Sequence, residues 1–104
     1  MSKFLKRLPE HYKSAEIYAV SSADHYLRVY TDLGEELILM RLMDALKELE
    51  QVPGMKTHRS WWVAFDGVAE RQRNQGKQSL RLKSGVIVPV SRSFDKAVKE
   101  AHFG

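Results

Sequence analysis

The sequence predicts a mainly β domain with one central and one C-terminal helix, and three observations carry that prediction. Residues 25–31 alternate, with Leu27 and Val29 set between Tyr26, Arg28 and Tyr30, the period of two expected of a strand with one buried face. Leu42, Leu46 and Leu49 then fall at i, i+4 and i+7, the spacing of one helical face. Beyond them Asp66-Gly67, Asn74-Gln75-Gly76 and Ser84-Gly85 punctuate short apolar runs as turns.

Taken in order, residues 1–15 mix charge with Pro9 and show neither period, so they read as a leader or linker. The domain proper is assigned to residues 16–104. Residues 17–20 are a short apolar run of β-formers, and Ser21, Ser22, Ala23 and Asp24 read as a turn into the alternating strand. Asp32-Leu33-Gly34 turns the chain into residues 35–40, which makes a hairpin or meander. In the helix that follows, Met43 widens the leucine stripe, Lys47, Glu48 and Glu50 take the opposite face, and Pro53-Gly54 ends it.

Strands are expected at 60–65, 68–71, 79–83 and 86–90. In the third, Leu80 and Leu82 alternate with Ser79, Arg81 and Lys83, which gives it a basic outer face. The last helix is placed at 92–101, with Ser91 as N-cap and Phe94, Ala97, Val98 and Ala101 as its apolar stripe. Its first turn would offer backbone N–H groups and the positive end of a helix dipole to a phosphate.

Composition bounds the function. A chain of 104 residues has room for one domain, and 43% hydrophobic with 29% charged residues is a globular balance. The absence of cysteine excludes disulfides and thiolate metal sites. No apolar run approaches the roughly 20 residues of a membrane-spanning helix. Lys3, Lys6, Arg7, Glu10 and Lys13 break every stretch that could serve as a signal peptide.

Charge is unevenly spread. Between residues 56 and 92 lie Lys56, Arg59, Arg71, Arg73, Lys77, Arg81, Lys83 and Arg92, opposed only by Asp66 and Glu70. The rest of the chain is therefore net acidic, although the whole carries +4. One face directed at a polyanion would explain this, because Lys and Arg displace the counterions condensed on phosphates. A solvated basic surface is the alternative.

Catalytic constellations are weak. His11, His25, His58 and His102 are scattered, with none paired at helical metal-ligand spacing. Ser60, Ser91 and Ser93 lie outside any Gly-x-Ser-x-Gly elbow, and no glycine-rich phosphate loop is present. The chain is read as a non-enzyme with no metal and no cofactor.

Two stretches stand out: Lys56-Thr57-His58-Arg59-Ser60-Trp61-Trp62-Val63 and Val86-Ile87-Val88-Pro89-Val90-Ser91-Arg92. Each sets an arginine beside a serine where a loop meets a regular element. Arginine can pair in bidentate fashion with guanine O6 and N7, while Ser60 and Ser91 can donate to phosphate oxygens. Lys56 and Lys96 lie near these motifs without the planar fork of arginine, so they are read as backbone contacts. The competing reading is that Arg59 and Arg92 only bridge acidic side chains.

The ordered set of His58-Arg59-Ser60 before an apolar strand, the Leu80 and Leu82 strand, Ser84-Gly85, and Val90-Ser91-Arg92 before a helix resembles the LytTR domain of bacterial transcription regulators. Residues 17–20, the loop through Asp24-His25-Tyr26 and the Leu42/Leu46/Leu49 helix match in the same order, so the resemblance covers about residues 16–101. It implies an elongated domain of short β-sheets that lays loops into successive major grooves of double-stranded DNA, at direct-repeat sites. By that resemblance the base-facing positions fall on His25 or Tyr26, on Arg59 and on Arg92. It also implies an output domain preceded, in a longer protein, by a receiver or membrane-sensor domain, working as a homodimer on DNA. The location would be cytoplasmic, or tethered to the inner membrane through that upstream part.

The Trp61-Trp62 pair departs from the commoner pattern of that family. Strand alternation predicts one indole in the core and the other on an outer face. Two rival functions use such aromatics: a protein-interaction module, and a single-stranded RNA binder that stacks bases on them.

Overall fold

In a computed structural model, which describes residues 3–103, the predicted β class is realised as two antiparallel sheets. Its strands are β1 (Ile17–Ala23), β2 (Tyr26–Thr31), β3 (Gly34–Leu39), β4 (Gly54–His58), β5 (Trp61–Ala64), β6 (Val68–Asn74), β7 (Lys77–Leu82) and β8 (Ile87–Pro89). Helix α1 (Leu42–Glu48) follows β3, and α2 (Asp95–Glu100) follows β8. The first sheet has the order β3-β2-β1-β5-β4 and the second β6-β7-β8. The molecule is elongated, 40 × 24 × 21 Å.

The centre of the first sheet is buried on both faces, and this governs most of the differences from the sequence reading. Val20 pairs with Trp62 and Val29, and all three enter one core with Leu27, Ala64, Ala45 and Leu49. Their neighbours Ala19, Val63 and Tyr30 point the other way, into a second core with Leu80, Leu82, Val88 and Val98. Each strand thus serves two cores. Trp61 consequently lies partly buried against the second core: it stacks on Tyr30 with ring centroids 5.1 Å apart, while Trp62 is buried opposite.

Within the segment expected to be a leader, residues 3–12 are part of the fold. Residues Lys3–Arg7 and Glu10–Tyr12 form 3-10 turns that bury Phe4, Leu5, Leu8 and Tyr12 in the first core. Its apolar residues have no regular period because 3-10 turns and a Pro9 bend, not a helix, present them. Arg7 then bonds Glu48 at the end of α1, with 2.9 Å from Nε to Oε1.

Ser21, Ser22 and Ala23, expected as a turn, continue β1 instead. Pairing with Arg28, Leu27 and Tyr26 satisfies their backbone, and the Ser21 hydroxyl lies 3.2 Å from the Tyr30 hydroxyl. Only Asp24 and His25 remain in the turn, Asp24 with φ of 56°. The run after α1 starts a strand, β4, at Gly54 itself. A side chain at Gly54 would collide with the Val63 carbonyl oxygen and the Trp62 indole, so this glycine lets the ring lie across the backbone.

Both helices are shorter than periodicity predicts. In α1 Ala45 is buried, Leu49 just beyond it is 1% exposed, and Leu42 and Leu46 are only half-buried. Met43, expected to widen the stripe, is 67% exposed. At the C-terminus Arg92–Phe94 is a 3-10 turn, and α2 covers six residues, with Val98 buried and Ala97 exposed. The Ser91 hydroxyl makes no cap bond and lies 3.3 Å from the Ser93 hydroxyl. The helix expected to offer its N-terminus to a phosphate is thus six residues long and preceded by a 3-10 turn, an arrangement that aligns few peptide dipoles.

Candidate nucleic-acid interface

Three segments that are far apart in sequence meet along one rim of the first sheet. The tip between β1 and β2 carries His25 and the exposed Tyr26. The turn between β4 and β5 carries Arg59 and Ser60, and the junction after β8 carries Ser91 and Arg92. Two backbone bonds join them: Ser22 N–H donates to the Ser60 carbonyl at 2.9 Å, and Ser91 N–H donates to the Thr57 carbonyl at 2.9 Å. The β4–β5 hairpin is the shared partner of the other two, through Ser60 in its turn and Thr57 in β4.

Side chains reinforce the junction. Thr57, fully buried, donates its hydroxyl to the Pro89 carbonyl at 3.0 Å, tying the edge of the first sheet to the second. Gln78, also buried, donates from Nε2 to the Asp95 carbonyl at 2.9 Å, which fixes the start of α2. Arg71 donates to the Lys99 carbonyl at 2.7 Å near the other end. Arg92 thus leaves a backbone held by both sheets.

Arg59 and Arg92 are exposed, and among the described residues neither takes part in an ion pair. The acid-bridging alternative has no partner for them there. Other bases of the same charged segment are engaged locally: Arg81 with Glu70 at 3.1 Å, and Arg73 with the Gly76 carbonyl at 3.0 Å. The arginines of this segment therefore divide into Arg71, Arg73 and Arg81, engaged locally, and Arg59 and Arg92, left open, while Lys56, Lys77 and Lys83 take part in no ion pair among the described residues.

The remaining predicted contacts are less gathered. Lys56 is half-buried in β4, opposite Trp62, so alternation puts it on the face away from Thr57 and the Ser91 contact. Ser60 directs its hydroxyl to His58 Nδ1 at 3.0 Å. Lys96 is exposed on α2, with no bond to β4 or to the β1–β2 tip. His25 and Tyr26 both line an open groove of about 540 Å³ with Ser22, Leu39 and Arg41.

Sequence reasoning missed Arg41, Thr57, Ser22 and Gln78. Thr57 stands inside a motif that had been singled out, yet its burial could not be read from period alone, because the strand containing it was not recognised. Arg41 is exposed and outside the described ion pairs. It lies at the end of β3, beside the β1–β2 tip only once the strands have paired. Trp62 is buried, and Trp61 is partly buried and stacked on Tyr30, so the pair offers less free aromatic surface than both rival functions require.

Among the described residues no helix is long and apolar enough to cross a membrane, and no cluster of His, Asp or Glu could hold a metal ion. A family model described as the LytTr DNA-binding domain matches residues 10–102. The fold is similar to a solved LytTr DNA-binding domain of a putative methyl-accepting/DNA response regulator from Bacillus cereus. That likeness has a TM-score of 0.66 at 17% identity, over 81% of this chain and 78% of the other. No curated protein sequence matches the chain.

Proposed function

The chain belongs to the LytTr DNA-binding domain family, and on that premise we propose that it reads a specific sequence in double-stranded DNA through the rim formed by its three joined loops. Arg59 and Arg92 read bases in successive major grooves, and His25 or Tyr26 reads a third position from the β1–β2 tip. Lys56, Ser91 and Lys96 grip the phosphate backbone, Ser60 joins them when its hydroxyl turns from His58 Nδ1 to a phosphate oxygen, and Arg41 adds a further backbone contact beside the tip. The family is one of DNA-binding domains, and a role in transcription regulation without enzymatic activity is part of the same proposal. This one would be the output part of a bacterial regulator, cytoplasmic or tethered through an upstream receiver or sensor domain, and bound as a homodimer to direct repeats.

One observation carries the reading: two exposed guanidiniums take part in no ion pair among the described residues, Arg59 in the β4–β5 turn itself and Arg92 directly after Ser91, whose N–H is bonded to Thr57 on the strand leading into that turn. Arginine held in this way presents a planar fork whose geometry fits a guanine edge, and the held backbone reduces the ordering required on binding. The test is selection from random duplex DNA, followed by affinity for the enriched site across a range of salt concentrations. Enrichment of one sequence, with affinity falling steeply as salt rises, is expected. Binding without enrichment would reduce the domain to a non-specific polyanion binder, and no salt dependence would remove DNA as the partner.

A further inference from the structure

His58 is the least accounted-for member of the rim. Its Nδ1 lies 3.1 Å from the Ser60 backbone nitrogen and 3.0 Å from the Ser60 hydroxyl. An amide N–H can only donate, so Nδ1 is the acceptor and the ring proton is on Nε2. The ring therefore closes a loop over Arg59, bonding the residue before it to the residue after it. Ser60 is bonded in turn to Ser22, and Thr57 to Ser91 and Pro89. The ladder between β4 and β5 breaks register between Lys56 and His58 and resumes at His58 and Trp61, so the two-residue turn follows a bulge and the ring acceptor adds a second tie to the strand pairing there.

We infer that His58 is a positioning residue for sequence reading: by accepting at Nδ1 it fixes the turn that aims Arg59, and it does so without itself reading a base. This rests on the base-reading role given to Arg59 above. The contribution would appear in discrimination between sequences more than in total affinity, because phosphate attraction tolerates a loosely held cation and a bidentate base contact does not.

Asparagine offers an acceptor close to the place of Nδ1, and leucine offers none. The experiment therefore compares wild type, His58→Asn, His58→Leu, Arg59→Ala and the His58→Leu/Arg59→Ala double variant. Affinities for the selected duplex and its single-base variants are measured at one salt concentration, and amide exchange of Ser60 is measured in the free protein. His58→Leu should lose about tenfold of the preference at the base pair that Arg59→Ala also ceases to distinguish, keep most affinity for random duplex, and speed exchange at Ser60. His58→Asn should restore both, and His58→Leu should add nothing to Arg59→Ala. The inference is overturned if His58→Leu keeps the preference, if asparagine fares no better than leucine, or if the two losses add. Unchanged Ser60 exchange in His58→Leu would overturn it through the hydrogen bond alone. A wild type with no sequence preference would sink the Arg59 reading and this inference with it.

Discussion

Thr57 and Pro89 belong to different sheets, and the buried hydroxyl of the first donates to the carbonyl of the second at 3.0 Å. Thr57→Val keeps the shape and removes the donor. The lost bond should cost about 1 kcal/mol, with the exposed Pro89 able to recover part of it from water. A urea titration monitored by tryptophan fluorescence measures this. A larger effect is expected on the rim, where Ser91 and Arg92 would no longer be held from both sides. Equal stability and equal DNA discrimination in the variant would show that the Ser91–Thr57 backbone bond suffices alone.

In the central helix the burial differs from its periodicity. Leu46 lies at the middle of the leucine stripe, but Leu49 is the residue fully enclosed. An aspartate at 49 would bury an unpaired carboxylate, a penalty of several kcal/mol against a total stability of roughly 5–15 kcal/mol. Leu49→Asp should therefore unfold the domain, while Leu46→Asp, half-buried and able to reach water, should lower the melting temperature and remain folded. Circular dichroism on the two variants decides the order, and the reverse order would contradict the docking of α1.

Arg92→Lys should keep most affinity for random duplex and relax the choice at one base pair. Lysine preserves the charge without the fork, and a bidentate contact to guanine is worth about 1–3 kcal/mol of discrimination. Arg92→Ala should lose both. Affinities for each single-base variant of the selected site provide the measurement. Full discrimination by the lysine variant would make Arg92 a phosphate contact and leave Arg59 as the base reader.

Lys56→Ala should weaken binding to selected and random duplex about equally, and should flatten the dependence of log affinity on log salt by roughly one unit. Lys56 lies on the face of β4 away from Thr57, where it can touch a phosphate only if the duplex wraps past the edge of the sheet. An unchanged slope would place that edge outside the DNA footprint.

The Arg7 guanidinium, hydrogen-bonded to Glu48, holds that carboxyl below the usual carboxylate range. A carboxyl lowered in the folded state contributes stability above its unfolded value, and this is lost as pH falls through the folded one. The advantage of wild type over Glu48→Gln should accordingly be present at neutral pH and fade in acid. It should also shrink somewhat with added salt, since Arg7 is exposed although Glu48 is partly buried. Melting temperatures of both proteins over a pH series test the sign, and a gap that widens in acid would refute it.

The β class, the order of the elements and the motifs around Arg59 and Arg92 could be read from the sequence because they depend on local periods and turn residues. Leu27 and Val29 alternate wherever their strand is placed, and Asp32-Leu33-Gly34 turns the chain by its own backbone preferences. Burial on the second face is a different kind of fact. Tyr30 and Trp61 are packed because a second sheet and α2 cover that face, and residues 3–12 are packed because α1 and the first sheet leave a surface for them. The same holds for the rim: Ser22, Thr57 and Ser91 come together through hydrogen bonds between residues 34 or more positions apart, which no local period records. The residue types available for contact were fixed by sequence, and which of them share a surface was decided by the pairing of strands and sheets.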